Sequence, residues 1–314
     1  MYYPVGKRLH ARNPAARDHP VGTIRTRNVE ADSMHSVWHP FLAVVLCASC
    51  AAPPPEALPV TEGLLLDLNA GADVFLQDGD RVVGWRNQVA ESPAQFFVQR
   101  DLGREVPGSG RPTLRNNAVG GHDAIMFEEQ ELVNFHEDEF DACTTGSGYT
   151  WFSVMSVYEQ HVGLPDVNSF FGNLRNEGNY EGFWGNLEDD NSVWIGSRSG
   201  ITFGRFDENN PKLLGPRLET GSYYVVAGRM AAGTDTVEIE LFVDSSESVG
   251  SVSFPVNPGA DPSRMAIGQE RDATNHPGEE SFHGEIARFV VYEGSLSDED
   301  LGTTISYLQE IYDL

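Results

Sequence analysis

The segment Val237-Glu-Ile-Glu-Leu-Phe-Val-Asp244 runs in strict two-residue alternation. An extended chain points successive side chains to opposite faces. Val237, Ile239, Leu241 and Val243 therefore share one face, and Glu238, Glu240, Phe242 and Asp244 the other. That is the pattern of a half-buried antiparallel strand. Thr150-Trp-Phe-Ser-Val-Met-Ser-Val-Tyr158 is apolar on both faces, which predicts a central strand covered on both sides. Further strands are predicted at 63–68, 124–128, 169–175, 182–187, 192–197, 223–230, 264–268 and 286–292. Such short strands at close intervals, with 32 Gly and 18 Pro to turn the chain, specify an all-β fold: a two-sheet antiparallel jelly-roll sandwich.

At the C-terminus the period changes. Ser297-Asp-Glu-Asp300 reads as a capping box, with the Ser hydroxyl open to an early backbone N–H and Asp300 able to reach back. Leu301, Ile305, Leu308 and Tyr312 then fall on one helical face. One short helix, 298–312, is expected to pack on the sandwich edge.

The 314 residues hold 21 Lys and Arg against 47 Asp and Glu, a net charge of −26. A nucleic-acid partner is excluded on that balance, since such a partner needs a basic face to replace phosphate counterions. The charge is unevenly spread. Residues 1–50 carry six basic and three acidic side chains, leaving 15 against 44 beyond them. Within this leader lies the apolar run Phe41-Leu-Ala-Val-Val-Leu-Cys-Ala-Ser-Cys50, followed by Ala51-Ala-Pro-Pro-Pro-Glu. A basic stretch, about ten apolar residues and small residues at the end make an export signal too short to span a bilayer.

Leu-Cys-Ala-Ser-Cys-Ala resembles a bacterial lipoprotein processing site, with Cys50 the residue to be lipidated and Cys47 where Leu is usual. Cleavage after Ala51 or Ala52, giving a soluble secreted protein, is the alternative. Met34 is a second candidate start. The expected location is the outer surface or periplasm as a lipoprotein, or else the exterior as a free protein, with membrane contact only through the lipid anchor. Residues 1–50 are thus leader and signal, 51–60 a Pro-rich tether, and 61–314 one sandwich domain. After processing at Cys50 only Cys143 remains, so no intramolecular disulfide can form.

Three segments carry a family resemblance. Gly63-Leu-Leu-Leu-Asp-Leu-Asn-Ala-Gly-Ala-Asp73, Asp78-Gly-Asp-Arg-Val-Val-Gly-Trp-Arg-Asn-Gln88 and Arg111-Pro-Thr-Leu-Arg-Asn-Asn-Ala-Val-Gly-Gly-His-Asp-Ala-Ile-Met-Phe127 resemble the start of bacterial laminin-G-like domains of the concanavalin A-like lectin/glucanase superfamily. Phe282-His-Gly-Glu-Ile-Ala-Arg-Phe-Val-Val-Tyr292, with Leu296-Ser-Asp-Glu-Asp and a helix after it, is similar to that family's closing strand and terminal helix. The resemblance implies two antiparallel sheets, one concave, in proteins that bind glycans or other surface ligands or occasionally cleave polysaccharides. It also allows a calcium ion at the rim, the one cofactor it suggests. No residues match a ligand motif for that ion: Glu188-Asp-Asp-Asn191 and Glu137-Asp-Glu139 lack the spacing of a calcium loop and read as solvated acidic loops.

No catalytic residue is assigned. Glucanases of the superfamily carry Glu-x-Asp-x-x-Glu on one strand, and here Glu238-Ile-Glu240 meets Val243 where the last Glu should fall. Glu238 and Glu240 share a face that reads as solvent-exposed. Gly196-Ser-Arg-Ser-Gly200 places Arg198 where a serine nucleophile would stand. No H-E-x-x-H occurs, and the single C-x-x-C, Cys47 to Cys50, lies in the export signal. His136, His276 and His283 read as scattered surface histidines.

The more informative constellation runs from Phe170 to Arg198. As strands, the three segments set Phe170, Gly172 and Leu174 against Phe171, Asn173 and Arg175. They likewise set Phe183, Gly185 and Leu187 against Trp184, Asn186 and Glu188, and Val193, Ile195 and Ser197 against Trp194, Gly196 and Arg198. A sugar ring offers an apolar C–H face and a rim of hydroxyls, so exposed aromatics beside amides and guanidinium groups suit it. Phe171, Asn173, Arg175, Trp184, Asn186, Trp194 and Arg198 are the candidate ligand-binding residues, with small glycines between them leaving room for approach. In the alternative, neighbouring loops cover these rings, which then only fill the sandwich rim. Trp85 and Trp151 are assigned to the core. The favoured function is a non-catalytic exported module that binds carbohydrate or a cell-surface ligand. The alternative is a divergent polysaccharide-active hydrolase or lyase on the same fold.

Overall fold

The computed structural model describes residues 57–100, 110–160, 167–175, 178–203, 206–270 and 281–314. The leader, with Met34, Cys47 and Cys50, and His276 lie outside them. The first nine strands are β1 (Leu64–Asn69), β2 (Val74–Gln77), β3 (Arg81–Arg86), β4 (Phe96–Gln99), β5 (Thr113–Val119), β6 (His122–Glu128), β7 (Leu132–Val133), β8 (Tyr149–Val157) and β9 (Asn168–Gly172). They are followed by β10 (Glu181–Leu187), β11 (Ser192–Ser199), β12 (Lys212–Arg217), β13 (Tyr223–Met230), β14 (Thr236–Val243), β15 (Gly250–Pro255), β16 (Ala266–Ile267) and β17 (His283–Glu293). One helix, α1 (Asp298–Tyr312), closes the chain.

Every pairing between these strands is antiparallel, and they form two layers. The first sheet runs β15-β14-β13-β8-β17. The long β17 then shares its other edge between β1 and β6, with β5 beyond β6. The second runs β12-β11-β10-β9-β16-β7-β4-β3-β2. The pair Arg81↔Thr113 stitches the layers together at one side. The fold is thus an all-β sandwich with one C-terminal helix.

Between the sheets lies the main core, where Trp85, Phe97, Phe127, Trp151, Phe183 and Phe289 have no exposed surface. A second apolar layer separates the outer face of the first sheet from α1. There Phe152, Val154, Val225 and Tyr292 meet Leu301, Ile305, Leu308 and Tyr312. Strand β8 lies between the two layers, and all nine of its residues are buried. This is the physical reason its sequence is apolar on both faces: each such side chain withdrawn from water stabilises the fold by about 1.5–3 kcal/mol.

The helix begins where the capping box places it. The Ser297 hydroxyl accepts a hydrogen bond from the Asp300 N–H at 3.1 Å and donates to Asp300 Oδ2 at 2.8 Å. On β14 the apolar face is as the alternation requires, but Phe242, placed by period two among the charged residues, is buried. Helix α1 covers that face, and the Arg229 guanidinium lies over the Phe242 ring at 5.4 Å. Packing also reaches into the proline-rich stretch: Leu58 is buried beside α1, and the Tyr292 hydroxyl donates to the Val60 carbonyl at 2.9 Å.

Candidate functional site

Strands β10 and β11 divide their faces as the alternation predicts. Phe183, Leu187, Val193 and Ile195 enter the main core, while Trp184 and Trp194 lie on the outer face of the second sheet. Cross-strand register builds that outer face in rows. One row is Ser169–Asn186–Trp194–Leu214, the next is Gly172–Trp184–Gly196–Lys212, and Gly182 opposite Arg198 begins a third. Residues two apart on a strand are about 7 Å apart, so Asn186, Trp184 and Arg198 occupy adjoining rows of one surface.

Strand β9 departs from simple alternation. Gly185 pairs with Phe171 and Asn186 with Ser169, which leaves Phe170 as an extra residue in a β-bulge. The bulge turns both phenylalanines inward. Phe171 is therefore a core residue rather than a surface one, its ring 4.9 Å from Trp151, 5.8 Å from Phe183 and 4.7 Å from Phe289. Beyond the bulge the phase is shifted, and Leu174 packs with Trp184 and Trp194. Period two alone cannot anticipate this, because a bulge inserts one residue without changing the composition.

The outer face is covered. Trp184 is 2% exposed and Trp194 1%. The glycines expected to leave room for a ligand are instead filled by the chain's own backbone. A Cβ at Gly172 would run into the Glu270 carbonyl oxygen, and one at Gly196 would stand 2.9 Å from that of Pro211. Phe206 lies edge-on to Trp194 with ring centroids 5.4 Å apart, and the Lys212 amine sits 4.6 Å from the Trp194 ring while pairing with Glu188. The Arg198 guanidinium lies 4.9 Å from the Tyr180 ring and 5.7 Å from that of Trp184. Exposed aromatic surface passes instead to Phe203, 65% accessible and packed against Tyr180.

Among the described residues, several polar groups here have no partner. The Trp184 Nε1, Asn186 Nδ2 and Asn173 Nδ2 atoms are buried without a hydrogen-bond acceptor. The other ends of the two amides are engaged: Asn173 Oδ1 accepts from the Phe183 N–H at 2.9 Å, and Asn186 Oδ1 from the Ser169 hydroxyl. Asn173 stands opposite Phe183, bonding both the N–H and the carbonyl of that residue. Trp184, Asn186, Trp194 and Arg198 thus converge on one face, and Asn173 is not shown to join them.

Arg175 stands apart at the rim. It pairs with Asp261 at 3.0 Å and Glu137 at 3.3 Å. Here Asp138, Asp141 and Asp261 bring carboxylate oxygens within 4.8 Å of one another, a donor set of the hard-oxygen kind. Burial, reinforced by the negative charges of Asp261 and Asp138, pushes the Asp141 carboxyl up to about 7. The sequence signal pointed to residues 137–139 alone, because Asp261 reaches the group only through the tertiary fold.

The other sequence candidates have local partners. Glu188 to Asn191 forms the β10–β11 turn, with Asp190 Oδ1 accepting from the Ser192 N–H at 2.9 Å. Glu238 accepts from the Ser253 hydroxyl at 2.7 Å, and Glu240 pairs with Arg229 at 2.6 Å. His283 Nδ1 is 2.8 Å from the Glu159 carbonyl. One cluster had no signal in the sequence. Glu285, buried on β17, accepts from the hydroxyls of Tyr158, at 2.6 Å, and Tyr223. Burial and this hydrogen bond push the Tyr158 phenol up to about 12.

No protein-family model matches the sequence, and no curated protein matches it. Among solved structures, the chain is similar to Trypanosoma rangeli sialidase in complex with sialic acid, with a TM-score of 0.48 and 14% identity over 82% of this chain and 36% of that one. It therefore spans about a third of the sialidase's length. It is also similar to domain 4 of AbnA, an extracellular GH43 arabinanase from Geobacillus stearothermophilus, in complex with arabinotriose. That match has a TM-score of 0.46 and 15% identity over 77% of this chain and 98% of the domain. A third similarity is to a heptameric SAP-like pentraxin from Limulus polyphemus, with a TM-score of 0.36 and 17% identity over 51% of this chain and 70% of that one.

Proposed function

We propose that this protein is an exported, non-catalytic module of laminin-G-like type, anchored by lipid at Cys50, that binds carbohydrate through the outer face of its second sheet. The observation that supports this reading is the convergence of Trp184, Asn186, Trp194 and Arg198 on one face with amide and indole N–H groups left unpaired. Buried polar groups are almost always hydrogen-bonded, so unpaired donors gathered on one face are what a site prepared for acceptor atoms would present. A glycan-array screen of the full chain, with and without calcium, tests the reading: retention without shortening of the bound oligosaccharides is expected, and no retention on any glycan removes it. Cys50→Ser is expected to release the protein from the membrane fraction, and an unchanged distribution overturns the anchor.

A second reading, a polysaccharide hydrolase, has one observation in its favour. Asp141, with its raised pKa, stands beside Asp138 and Asp261, and glycosidases pair a raised-pKa acid with a second carboxylate. Shortened oligosaccharides in the same screen, lost in Asp141→Asn, would establish it.

A further inference from the structure

Strand β2 forms an open edge of the second sheet: among the described residues it pairs with β3 alone. An exposed edge is a template for another strand, and proteins blunt such edges with proline or charge. Two other sheet ends follow that rule, β12 with Lys212, Pro216 and Arg217 and β15 with Pro255. Strand β2, Val74-Phe-Leu-Gln77, carries neither device, and it exposes Phe75 by 45% and Leu76 by 43%.

Its backbone is set to pair. The Asp73 carbonyl accepts from the Arg86 N–H at 3.1 Å, so at Asp73 the backbone turns toward β3. Antiparallel ladders alternate, and Val74 therefore turns its N–H and C=O outward. Leu76 stands opposite Val82, whose own N–H goes away from β2 to the Pro112 carbonyl at 2.8 Å, so Leu76 also faces the open edge. The bulge between the two strands skips Val83 of β3, which leaves β2 itself unbroken.

We infer that β2 is the edge through which two copies of this chain join, antiparallel about a two-fold axis, with Phe75 opposite Phe75 of the partner subunit. In that register Val74 lies opposite Leu76 of the partner subunit, and the two residues whose N–H and C=O groups face the edge exchange hydrogen bonds. The Phe75 rings meet on the outer face, each with Phe96 behind it at a centroid distance of 5.9 Å. Charge selects a second copy here and fixes the register. Beyond residue 50 each chain holds 15 basic against 44 acidic residues, so two copies repel over most of their surfaces. Around β2 the charges are compensated within the chain, Asp73 pairing with Arg86 at 3.9 Å and Asp78 with Arg111 at 2.9 Å. Centring on Phe75 sets Asp73 against Gln77 of the partner subunit, whereas centring between Phe75 and Leu76 would set Asp73 against Asp78 of the partner subunit, a like-charge pair.

The test is sedimentation equilibrium of the full chain over a range of concentrations. A monomer–dimer equilibrium is expected, with the dimer Kd raised at least tenfold in Phe75→Lys, which sets two ammonium groups against each other while the circular-dichroism spectrum stays unchanged. Oxidative cross-linking reads the register separately. Opposite residues of a non-hydrogen-bonded pair stand about 4.5 Å apart at Cα, within reach of a disulfide, so Phe75→Cys is expected to give a covalent dimer. Gln77→Cys and the wild-type chain, whose own cysteines are the control, are expected to give none. A monomer at every concentration overturns the proposal and leaves the edge to an extended segment of another protein. A dimer that a folded Phe75→Lys chain retains in full places the contact elsewhere and overturns it too. Cross-linking through Gln77→Cys but not through Phe75→Cys overturns the register.

Discussion

The indole rings of Trp184 and Trp194 meet edge to face, with centroids 6.1 Å apart and planes at 88°. They stand in adjoining rows of β10 and β11, so the contact is diagonal across the ladder. The T-shape sets the positive edge of one ring against the negative face of the other, worth about 0.5–1.5 kcal/mol beyond area burial. Both rings therefore hold the sheet's cover in place as well as forming the candidate site.

Removing one ring should then be costly. Trp194→Ala is expected to lower unfolding stability by about 3–5 kcal/mol, read from the urea midpoint, because Trp184, Phe206 and Lys212 all lose a packing partner. Trp184→Phe keeps an aromatic ring and deletes an unpaired N–H. Its loss should be smaller, and a decrease matching that of Trp194→Ala would show that the indole N–H has a partner after all.

On the opposite sheet Arg288 grips Asp67 through Nε to Oδ1 at 2.8 Å and Nη2 to Oδ2 at 2.7 Å, tying β17 to β1. The Arg288 side chain is 1% exposed and that of Asp67 9%. Deleting one partner leaves a buried charge unpaired, so Arg288→Met should destabilise by about 3–5 kcal/mol. Adding Asp67→Leu to that variant should restore part of the loss in the same chemical-denaturation measurement, since no orphaned charge then remains.

Asp141 makes stability depend on pH. Its carboxyl lies at about 7 in the fold against an ordinary value of 3.8, so the folded state holds the proton more tightly than the unfolded chain does. The resulting stabilisation is fully present below pH 4 and is lost as pH rises through 7. Asp141→Asn should flatten the Tm profile between pH 4 and 7, and a slope identical to wild type would assign the dependence to other groups.

Ser297→Ala removes the cap of α1. The expected decrease is about 0.5–2 kcal/mol by thermal denaturation, with Ser297→Asp recovering most of it because its carboxylate can accept from the same N–H. No change on Ser297→Ala would mean that the packing of Leu301 and Ile305 alone sets the start of the helix.

Much of the fold was legible along the chain. The alternation in Val237–Asp244 and the doubly apolar run around Trp151 each correspond to the strand they describe, β14 and β8, and Ser297 caps the helix its box announces. These signals depend on neighbours one to four residues away, which is where a ladder's pleat or a helical turn sets its demands. Strands β2, β3, β4, β5, β7, β12 and β15 were not predicted as strands. Apart from β3 they are short or lie at edges, where packing requires little of the sequence.

Which residues share the outer face was partly legible, and how far that face is covered was not. Trp184, Asn186, Trp194 and Arg198 were assigned correctly to one face because β10 and β11 are regular. Phe171 was lost to a bulge, and Arg175 to an ion pair with Asp261, a residue 86 positions away. By itself the sequence determined which residues alternate, which cap and which turn, since those are contests between a residue and its near neighbours. Only the tertiary structure decided which rings are covered and which donors are left without a partner. Burial and hydrogen-bond satisfaction depend on chain segments such as Glu270 and Pro211, brought over the sheet from far along the sequence.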